Sequence, residues 1–308
     1  MSDRTYLALA SSAAVLAAAS QLAPQWVVFL IAIALAKGLV VLGLMLLMRT
    51  GLVSFGQGLY YCLGAYAAAL AEQAVGVNDA ALMLAAALAA TVAVAFVLGF
   101  LLAGYRGIFF AMLSLAFSMI LFGLLVKSAA LGSTDGFNVA TRSLSGFRIE
   151  DGAAGRVLAV VAIVLFALAA ILLHRYLGSH LGRLSAAIRD NELRVEYLGA
   201  SVRRVVHLNY VIAAALAGLG GALTAATVGH IDPDMAYWTT SGEFVFVAVL
   251  SGTGNVLAPF LGSALFEAIR TLANQYAPNV WQMTLGLAML AIIMFLPAGL
   301  WSLFRRAS

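Results

Sequence analysis

Continuous apolar runs of about twenty residues recur along the whole chain and are separated by short polar breaks. The run LMLAAALAATVAVAFVLGF at 82–100 is typical of them. A hydrocarbon layer about 30 Å thick requires roughly 20 apolar residues per helix, whereas membrane β-strands alternate apolar and polar residues over about ten positions. The pattern therefore predicts an all-α, polytopic transmembrane helix bundle.

The composition excludes a soluble domain. Of the 308 residues, 64% are apolar and 10% are charged, and the mean hydropathy is +1.02. Soluble domains are about 45–50% apolar and about 25% charged. The net charge of +4 does not indicate nucleic-acid binding, because the basic residues concentrate in the loops, where membrane topology explains them.

We expect about ten spans in one transmembrane domain that covers residues 1–308. The eighth is short and ends in the glycine-rich GTGN at 252–255, so both a full crossing and a re-entrant segment stay open. The first segment follows only MSDR, and both its retention and its cleavage as a signal peptide stay open. The predicted segments are 5–23, 26–48, 52–71, 80–104, 107–131, 155–176, 207–228, 238–252, 256–273 and 281–301.

The basic residues predict the orientation. Ten crossings with both termini in the cytoplasm put eleven arginines inside and three outside, in agreement with the positive-inside rule. The three outside are Arg142, Arg148 and Arg156. The eleven inside are Arg4, Arg49, Arg106, Arg175, Arg183, Arg189, Arg194, Arg203, Arg204, Arg305 and Arg306.

Two loops are long enough for a function. The external loop 132–155 is rich in Gly, Ser and Asp, and either a cap that faces substrate or partner or a solvated connector fits it. The internal loop 177–206 contains RLSAAIRDNELRVEYLG at 183–199, which predicts one partly buried amphipathic helix that stops at Gly199. Such a helix either lies on the membrane surface or couples to a partner.

Catalytic, cofactor and metal sites are not predicted. Neither lysine, Lys37 nor Lys127, follows a G-x-x-x-x-G sequence, so the chain has no P-loop and does not hydrolyse ATP itself. The four histidines lack metal-ligand spacing, and G-x-S-x-G is absent. If ATP drives this protein, another subunit binds it and acts on an exposed internal element, for which 183–206 is the candidate.

The stretch GRLSAAIRDNELRVEYLGASVRRVVHLNYVIAAALAGLGGALTAA at 182–226 resembles the coupling segment and following helix of the LivM-type permeases of branched-chain amino acid ABC importers. In that family this segment docks onto the ATPase subunit. Asp190 departs from the family's Glu and keeps its charge. The resemblance implies ATPase coupling by Ala187, Ile188, Arg189, Asn191, Glu192, Glu196, Leu198 and Gly199.

The resemblance covers most of the chain from residue 51. GLVSFGQGLYYCLGAY at 51–66, SLAFSMILFGLLVKSAALGSTDGFNV at 114–139, VLSGTGNVLAPFLGSALFE at 249–267 and FLPAGLWSL at 295–303 are similar to family segments. It implies a bacterial inner-membrane permease with a homologous second permease, two ABC ATPases and an extracytoplasmic solute-binding protein as partners. GSTDG in the outer loop and SGTGN at 251–255 depart from the family pattern, so urea, amides or other small polar solutes stay open as substrates.

Polar and charged residues inside spans need partners, because lipid cannot solvate them. Glu267 and Arg270 lie three apart on one helix, so we expect them to pair, either for structure or along the solute path. Lys37 should face protein, and neither it nor Glu243 has a partner that the sequence identifies. Candidate pathway or helix-packing residues are Ser54, Gly56, Gln57, Gly58, Gly252, Gly254 and Asn255.

Two other classes of membrane protein compete with an importer subunit. A secondary transporter or channel would carry ionisable groups at mid-membrane for ion coupling together with an internal repeat, and the sequence shows few such groups and no convincing repeat. A purely structural membrane subunit would tolerate replacement of the internal helix without an effect on transport.

Overall fold

A computed structural model describes residues 3–75, 79–139, 143–144, 147–148, 154–276, 278–296 and 299–302. These ranges contain twelve α-helices: α1 (Asp3–Leu22), α2 (Gln25–Arg49), α3 (Gln57–Val75), α4 (Ala80–Leu102), α5 (Gly107–Lys127), α6 (Ala154–Gly178), α7 (His180–Asp190), α8 (Glu192–Tyr197), α9 (Val202–Val228), α10 (Trp238–Ser251), α11 (Ala258–Tyr276) and α12 (Trp281–Phe295). Short 3-10 helices span Ala129–Leu131 and Pro233–Ala236. Four two-residue strands, β1 (Phe137–Asn138), β2 (Ser143–Leu144), β3 (Phe147–Arg148) and β4 (His230–Ile231), form two antiparallel pairs, β1 with β4 and β2 with β3.

The helices confirm the predicted all-α bundle. Apart from α7 and α8, the ten described helices correspond one to one with the ten predicted segments. Five of them, α2, α4, α5, α6 and α9, are long and apolar enough to cross a membrane by length and composition alone. The others are shorter or carry more polar residues, as α3 does with Gln57 at its start.

Small residues bring the central helices into close contact. A methyl group built on Gly43 of α2 would lie 2.8 Å from the carbonyl oxygen of Ala213 in α9, and one on Gly64 of α3 would overlap the backbone of Gly218 in α9. Since lipid is as apolar as the helices, their association depends on this close packing. α9 therefore contacts both α2 and α3 along its length.

The outer surface of the bundle is apolar. α4, α5 and α6 expose large hydrophobic side chains, among them Phe100, Ile108, Phe109, Leu124 and Leu172. A continuous apolar exterior of this kind is stable only against lipid. The fold is that of a multi-pass helical membrane protein.

The eighth predicted segment, 238–252, corresponds to α10, and a 3-10 helix precedes it. The 3-10 helix Pro233–Ala236 lies inside the protein, where the Ser118 hydroxyl donates a hydrogen bond to the Ala236 carbonyl at 2.7 Å. α10 follows with only 14 residues, about 21 Å of helix, and ends at Gly252 with φ of +77°. The non-helical backbone before α10 thus packs partly against protein, with Pro233 and Ala236 buried, which is where a membrane protein tolerates it.

The bundle has two chemically different ends. At one end α7 and α8 lie beside the C-terminal ends of α2, α4 and α6 and the start of α9. The predicted internal arginines that the structure describes gather at this end, namely Arg49, Arg106, Arg175, Arg183, Arg189, Arg194, Arg203 and Arg204. The opposite end carries the β1–β4 pair. Arg142, Arg305 and Arg306 lie outside the described residues, as do the side chains of Arg4 and Arg148.

Candidate functional site

The predicted helix at 183–199 is two helices, which corrects the expectation of one. α7 ends at Asp190, Asn191 adopts an extended conformation with φ of −161° and ψ of 103°, and α8 begins at Glu192. The Asn191 side chain accepts a hydrogen bond from the Arg194 backbone N–H at 2.9 Å, so it caps α8. Gly199 follows with φ of +82°, as expected of a helix stop.

The two helices bury one face and expose another. Ile188 of α7 and Val195 of α8 are buried in the main apolar core. Leu193, Tyr197 and Leu198 are 65%, 89% and 80% exposed. Together these three neighbouring side chains form an exposed apolar surface at a polar, arginine-rich end.

Glu192 is engaged within the chain. The Arg106 guanidinium donates through Nε to Glu192 Oε2 at 2.9 Å and through Nη2 to Oε1 at 2.8 Å. Arg106 also donates to the carbonyl oxygens of Ala103 and Tyr105. This bidentate pair ties the first turn of α8 to the loop between α4 and α5.

Asn209 connects four helices at the same end and is fully buried. Its Nδ2 donates to Thr50 Oγ1 at 2.9 Å and to Ser185 Oγ at 2.8 Å. The Tyr176 hydroxyl donates to its Oδ1 at 2.6 Å. Ser185 and Asn209 therefore connect α7 with α9, the end of α2 and α6.

A second route leads from α7 to the glycine-rich loop after α10. Gly51 packs against Arg189 of α7, and a methyl group on Gly51 would lie 3.3 Å from its Cγ. Two residues away, Arg49 donates through Nε and Nη2 to the Thr253 carbonyl at 2.9 and 2.6 Å. The end of α2 thus lies between α7 and the loop at 252–255.

The predicted residues of that loop have packing contacts. Gly252 lies against Gly299, where an added methyl on Gly299 would be 2.7 Å from the Gly252 Cα, and one on Gly254 would be 2.8 Å from the Trp301 ring. Asn255 Oδ1 accepts from the Leu257 N–H at 3.1 Å and so supports the start of α11.

The predicted cluster at the start of α3 is buried among serines. The Ser54 hydroxyl accepts from the Gly56 N–H, the Gly58 N–H donates to the Ser241 hydroxyl at 3.0 Å, and a methyl on Gly56 would lie 2.7 Å from the Ser114 carbonyl oxygen. Gln57 is fully buried, and neither its amide oxygen nor its amide nitrogen has a hydrogen-bond partner among the described residues. The absence of space around both glycines indicates packing as their role in this conformation.

The expected Glu267–Arg270 pair is wrong. Glu267 instead binds Lys37 of α2, with 2.5 Å between Nζ and Oε1, and Arg270 binds Glu243 of α10 at 3.2 Å. Lys37 and Glu243, for which the sequence identified no partner, are therefore the residues that pair with Glu267 and Arg270. Local spacing on α11 favoured the wrong pair, because α2 and α10 offer opposite charges at closer range.

Both ion pairs line one cavity of about 360 Å³. It lies toward the end opposite α7 and α8, since His230 and Asp232, which follow α9, also line it. Tyr61 and the apolar Ile33 and Val228 complete much of its wall. The volume is within the range of about 300–1,000 Å³ typical of small-molecule sites.

Sequence reasoning missed Asn209 and Arg106 as site residues. Asn209 gave a signal, because an amide inside a predicted span requires hydrogen-bond partners. Arg106 gave no signal in the sequence beyond its charge, because its partner Glu192 lies 86 positions away.

The fold and these two regions define a class: a multi-pass helical membrane protein with an exposed apolar surface on α8 at one end and a charged cavity toward the other. The chain belongs to the family described as the permease component of the branched-chain amino acid transport system, whose members match residues 26–296.

Three relatives illustrate the similarity. The high-affinity branched-chain amino acid transport system permease protein LivM of Escherichia coli (strain K12) is 30% identical over 274 residues, which cover 82% of this chain and 64% of LivM. LivH of the same organism is 28% identical over 145 residues, 46% of each chain. BraD of Pseudomonas aeruginosa is 24% identical over 267 residues, 81% of this chain and 86% of BraD. The match to LivM thus spans somewhat less than two thirds of that relative, and no solved structure matches this chain.

Proposed function

We propose that this chain is the membrane-spanning permease subunit of an ATP-binding-cassette importer, that it carries branched-chain amino acids across a bacterial inner membrane, and that separate ATPase subunits drive it. The observation that carries the proposal is the family match over 26–296 combined with an exposed apolar surface on α8. LivM, LivH and BraD are each named as permease proteins of a branched-chain amino acid transport system, which supports branched-chain amino acids as the substrate. In this proposal residues 1–308 act as one permease domain.

The proposed partners follow from the relatives and from the surface. Both LivM and LivH of one organism are similar to this chain, which supports a second, homologous permease beside it. Two ATPases dock at the end with α7 and α8, and an extracytoplasmic binding protein delivers the amino acid at the opposite end. The gathering of arginines at the α7–α8 end supports a cytoplasmic position for that end and for both termini.

Coupling in this proposal begins at α7 and α8. The predicted coupling residues differ in how exposed they are. They are Ala187, Ile188, Arg189, Asn191, Glu192, Glu196, Leu198 and Gly199. Leu198 and Glu196 are exposed and available to the ATPase, together with the neighbouring Leu193 and Tyr197, whereas Ile188 is buried and Glu192 is held by Arg106.

The motion then passes into the bundle. Closure of the ATPases on ATP displaces α7 and α8, and the contacts of Asn209, Arg106 and Arg49 transmit the displacement to the spanning helices. Packed helices of this kind shift between discrete arrangements, which here face outward and inward. ATP energy is thereby converted into alternating access without a nucleotide site in this chain.

Reconstitution tests the proposal. The permease pair, the ATPases and the binding protein are placed in liposomes, and ATP-dependent uptake of leucine, isoleucine, valine, urea and a small amide is measured. We expect accumulation of the three branched-chain amino acids only with ATP and binding protein. Uptake of urea or the amide instead of the three amino acids would overturn the proposed substrate class. Accumulation without ATP would overturn the assignment to ATP-driven importers.

A further inference from the structure

Four of the charged side chains that line the cavity form two ion pairs between α2, α10 and α11, and Asp232 and Asp234 also line it. Lys37 of α2 and Arg270 of α11 supply two positive charges, and Glu267 of α11 and Glu243 of α10 supply two negative ones. Glu267 and Arg270 lie three apart on α11 and so share its face. Lys37, Glu243 and Glu267 also line a second, small cavity, so the two ion pairs are neighbours.

These charges are poorly exposed. The side chains of Lys37 and Glu267 are 14% and 11% exposed, and those of Arg270 and Glu243 are 31% and 27% exposed. A charge at such depth is costly without a partner, so any solute that enters has to leave each charge compensated. Arg270 is also restrained by the Trp281 ring, 5.4 Å from its guanidinium carbon.

We propose that these two ion pairs form a binding site for zwitterionic amino acids on the way through the permease, in which the solute inserts between the pairs. The solute carboxylate binds Lys37 and Arg270, and its ammonium binds Glu243 and Glu267. This inference deepens the proposed function and rests on it.

The charge balance selects the solute class. The four side chains of the two ion pairs sum to zero charge, and a zwitterion adds none, so each of these four groups keeps an opposite partner when the solute is bound. Asp232 and Asp234, which also line the cavity, are not part of these pairs. A simple amine or a simple carboxylate leaves one uncompensated charge in a weakly solvated place. When the amino acid leaves, Lys37–Glu267 and Glu243–Arg270 re-form, and binding stays weak enough for release.

The remaining wall fits the side chain of the solute. Ile33, Val228 and Phe29 contribute apolar surface to the same cavity, which suits a branched aliphatic group. Beyond the pairs, Ser263 lines the small cavity, and its buried hydroxyl has no partner among the described residues. In this proposal the Ser263 hydroxyl is a polar contact for the solute after it leaves the ion pairs and moves along α11.

The first test separates a binding role from a structural one in the reconstituted complex. Lys37→Met with Glu267→Met removes a whole ion pair and leaves no unpaired charge, a change that buried pairs often tolerate in stability. We expect leucine uptake to fall by about tenfold or more, as for loss of a buried charge contact, while the ATPase activity is retained. The matched control Lys127→Met replaces an exposed lysine at the end of α5 and should leave uptake unchanged.

The second test does not depend on the fate of that double variant. The only native cysteine, Cys62, is buried, so Thr240→Cys places a single accessible thiol at the cavity. In the complex, leucine should slow its modification by a methanethiosulfonate reagent severalfold, as read by mass spectrometry of this chain. 3-Methylbutylamine and 4-methylpentanoate should not, and Thr134→Cys on the outer loop should react at one rate throughout.

The outcomes distinguish failure of the proposed binding site from failure of the proposed function. Full leucine uptake by the Met double variant would overturn the proposed binding site. Modification of Thr240→Cys at the same rate with and without leucine would also overturn it. In either case, ATP-driven leucine uptake by the wild type would still support the importer. Protection by the amine or the carboxylate alone would overturn the zwitterion requirement. Absence of wild-type uptake would overturn the proposed function itself.

Discussion

Asn209 links α7 to the bundle through one side chain. It bonds to Thr50, Ser185 and Tyr176, each on a different element, and lies fully buried. A satisfied polar contact in this position orients four elements relative to each other, because every alternative arrangement leaves buried polar groups unpaired.

Asn209→Leu should lower both stability and coupling. The substitution removes the acceptor of Tyr176 and the donor to Thr50 and Ser185, at a cost of about 1–3 kcal/mol for unsatisfied buried groups. We expect a lower melting temperature in detergent and fewer leucine molecules imported per ATP hydrolysed. Thr227→Val is the control, since among the described residues that hydroxyl bonds only to the Leu223 carbonyl in its own helix. An unchanged transport ratio in Asn209→Leu would show that this contact does not transmit motion.

Gly64 tests the close approach of α3 to α9. Gly64→Ala places a methyl against the Gly218 backbone, which cannot rotate away, so overpacking of about 1–3 kcal/mol is expected. Gly123→Ala in α5 is the matched change, because nothing lies within 4 Å of the new methyl. Thermal unfolding should show a loss for Gly64→Ala and no loss for Gly123→Ala; equal melting temperatures would contradict the packing described.

At the residue scale, sequence reasoning succeeded where the cause is local. Gly199 as a helix stop follows from the backbone itself, since its φ of +82° favours glycine. The ion-pair partners did not follow, because Lys37 and Glu267 are 230 positions apart and only the fold brings them together. The i, i+3 rule named the wrong partner for both residues of α11.

At the scale of elements, α8 carries the exposed apolar surface. Leu193→Ser with Tyr197→Ser should weaken ATPase docking and lower leucine uptake, while the buried Val195 keeps α8 in place. ATPase recovered with the purified permease and ATP-dependent uptake are the two measurements. Leu124→Ser, equally exposed at 63% but on the lipid-facing surface of α5, should leave ATPase recovery intact. Normal recovery in the α8 variant would place the docking surface elsewhere.

The pair Arg106–Glu192 fixes the position of α8 against the α4–α5 loop. Glu192→Arg should impair uptake, because it places two cations together, and Glu192→Arg with Arg106→Glu should restore much of it. Since both side chains are about one third exposed, the effect on stability should stay within about 1 kcal/mol. Failure of the exchanged pair to restore uptake would indicate that Glu192 itself contacts the ATPase.

The spanning elements were predictable because hydropathy is a property of each segment alone. All ten predicted segments match described helices. The break at Asn191 was not predicted, although Asn followed by Glu is a capping signal, because the apolar spacing continued across it. The entry of the 3-10 helix Pro233–Ala236 into the bundle depends on Ser118 of α5, which no local pattern in the sequence identifies.

At the scale of the whole molecule, the two candidate regions lie at different ends. The contact element α7–α8 lies at one end, and the cavity with its two ion pairs lies toward the other, while α2 reaches both through Lys37 and Arg49. In the proposed function, force applied at one end acts on α2, which also lines the cavity. This arrangement suits a subunit that receives its energy from outside the chain.

Accessibility of Tyr197→Cys to a membrane-impermeant thiol reagent tests this account most directly. Tyr197 is 89% exposed and the native Cys62 is buried, so the labelled position is unambiguous. We predict labelling in inside-out but not right-side-out membrane vesicles, and protection when the ATPase subunits are bound. Labelling from the outer face, or unchanged labelling with the ATPases present, would contradict the claim that the motor acts through α7 and α8.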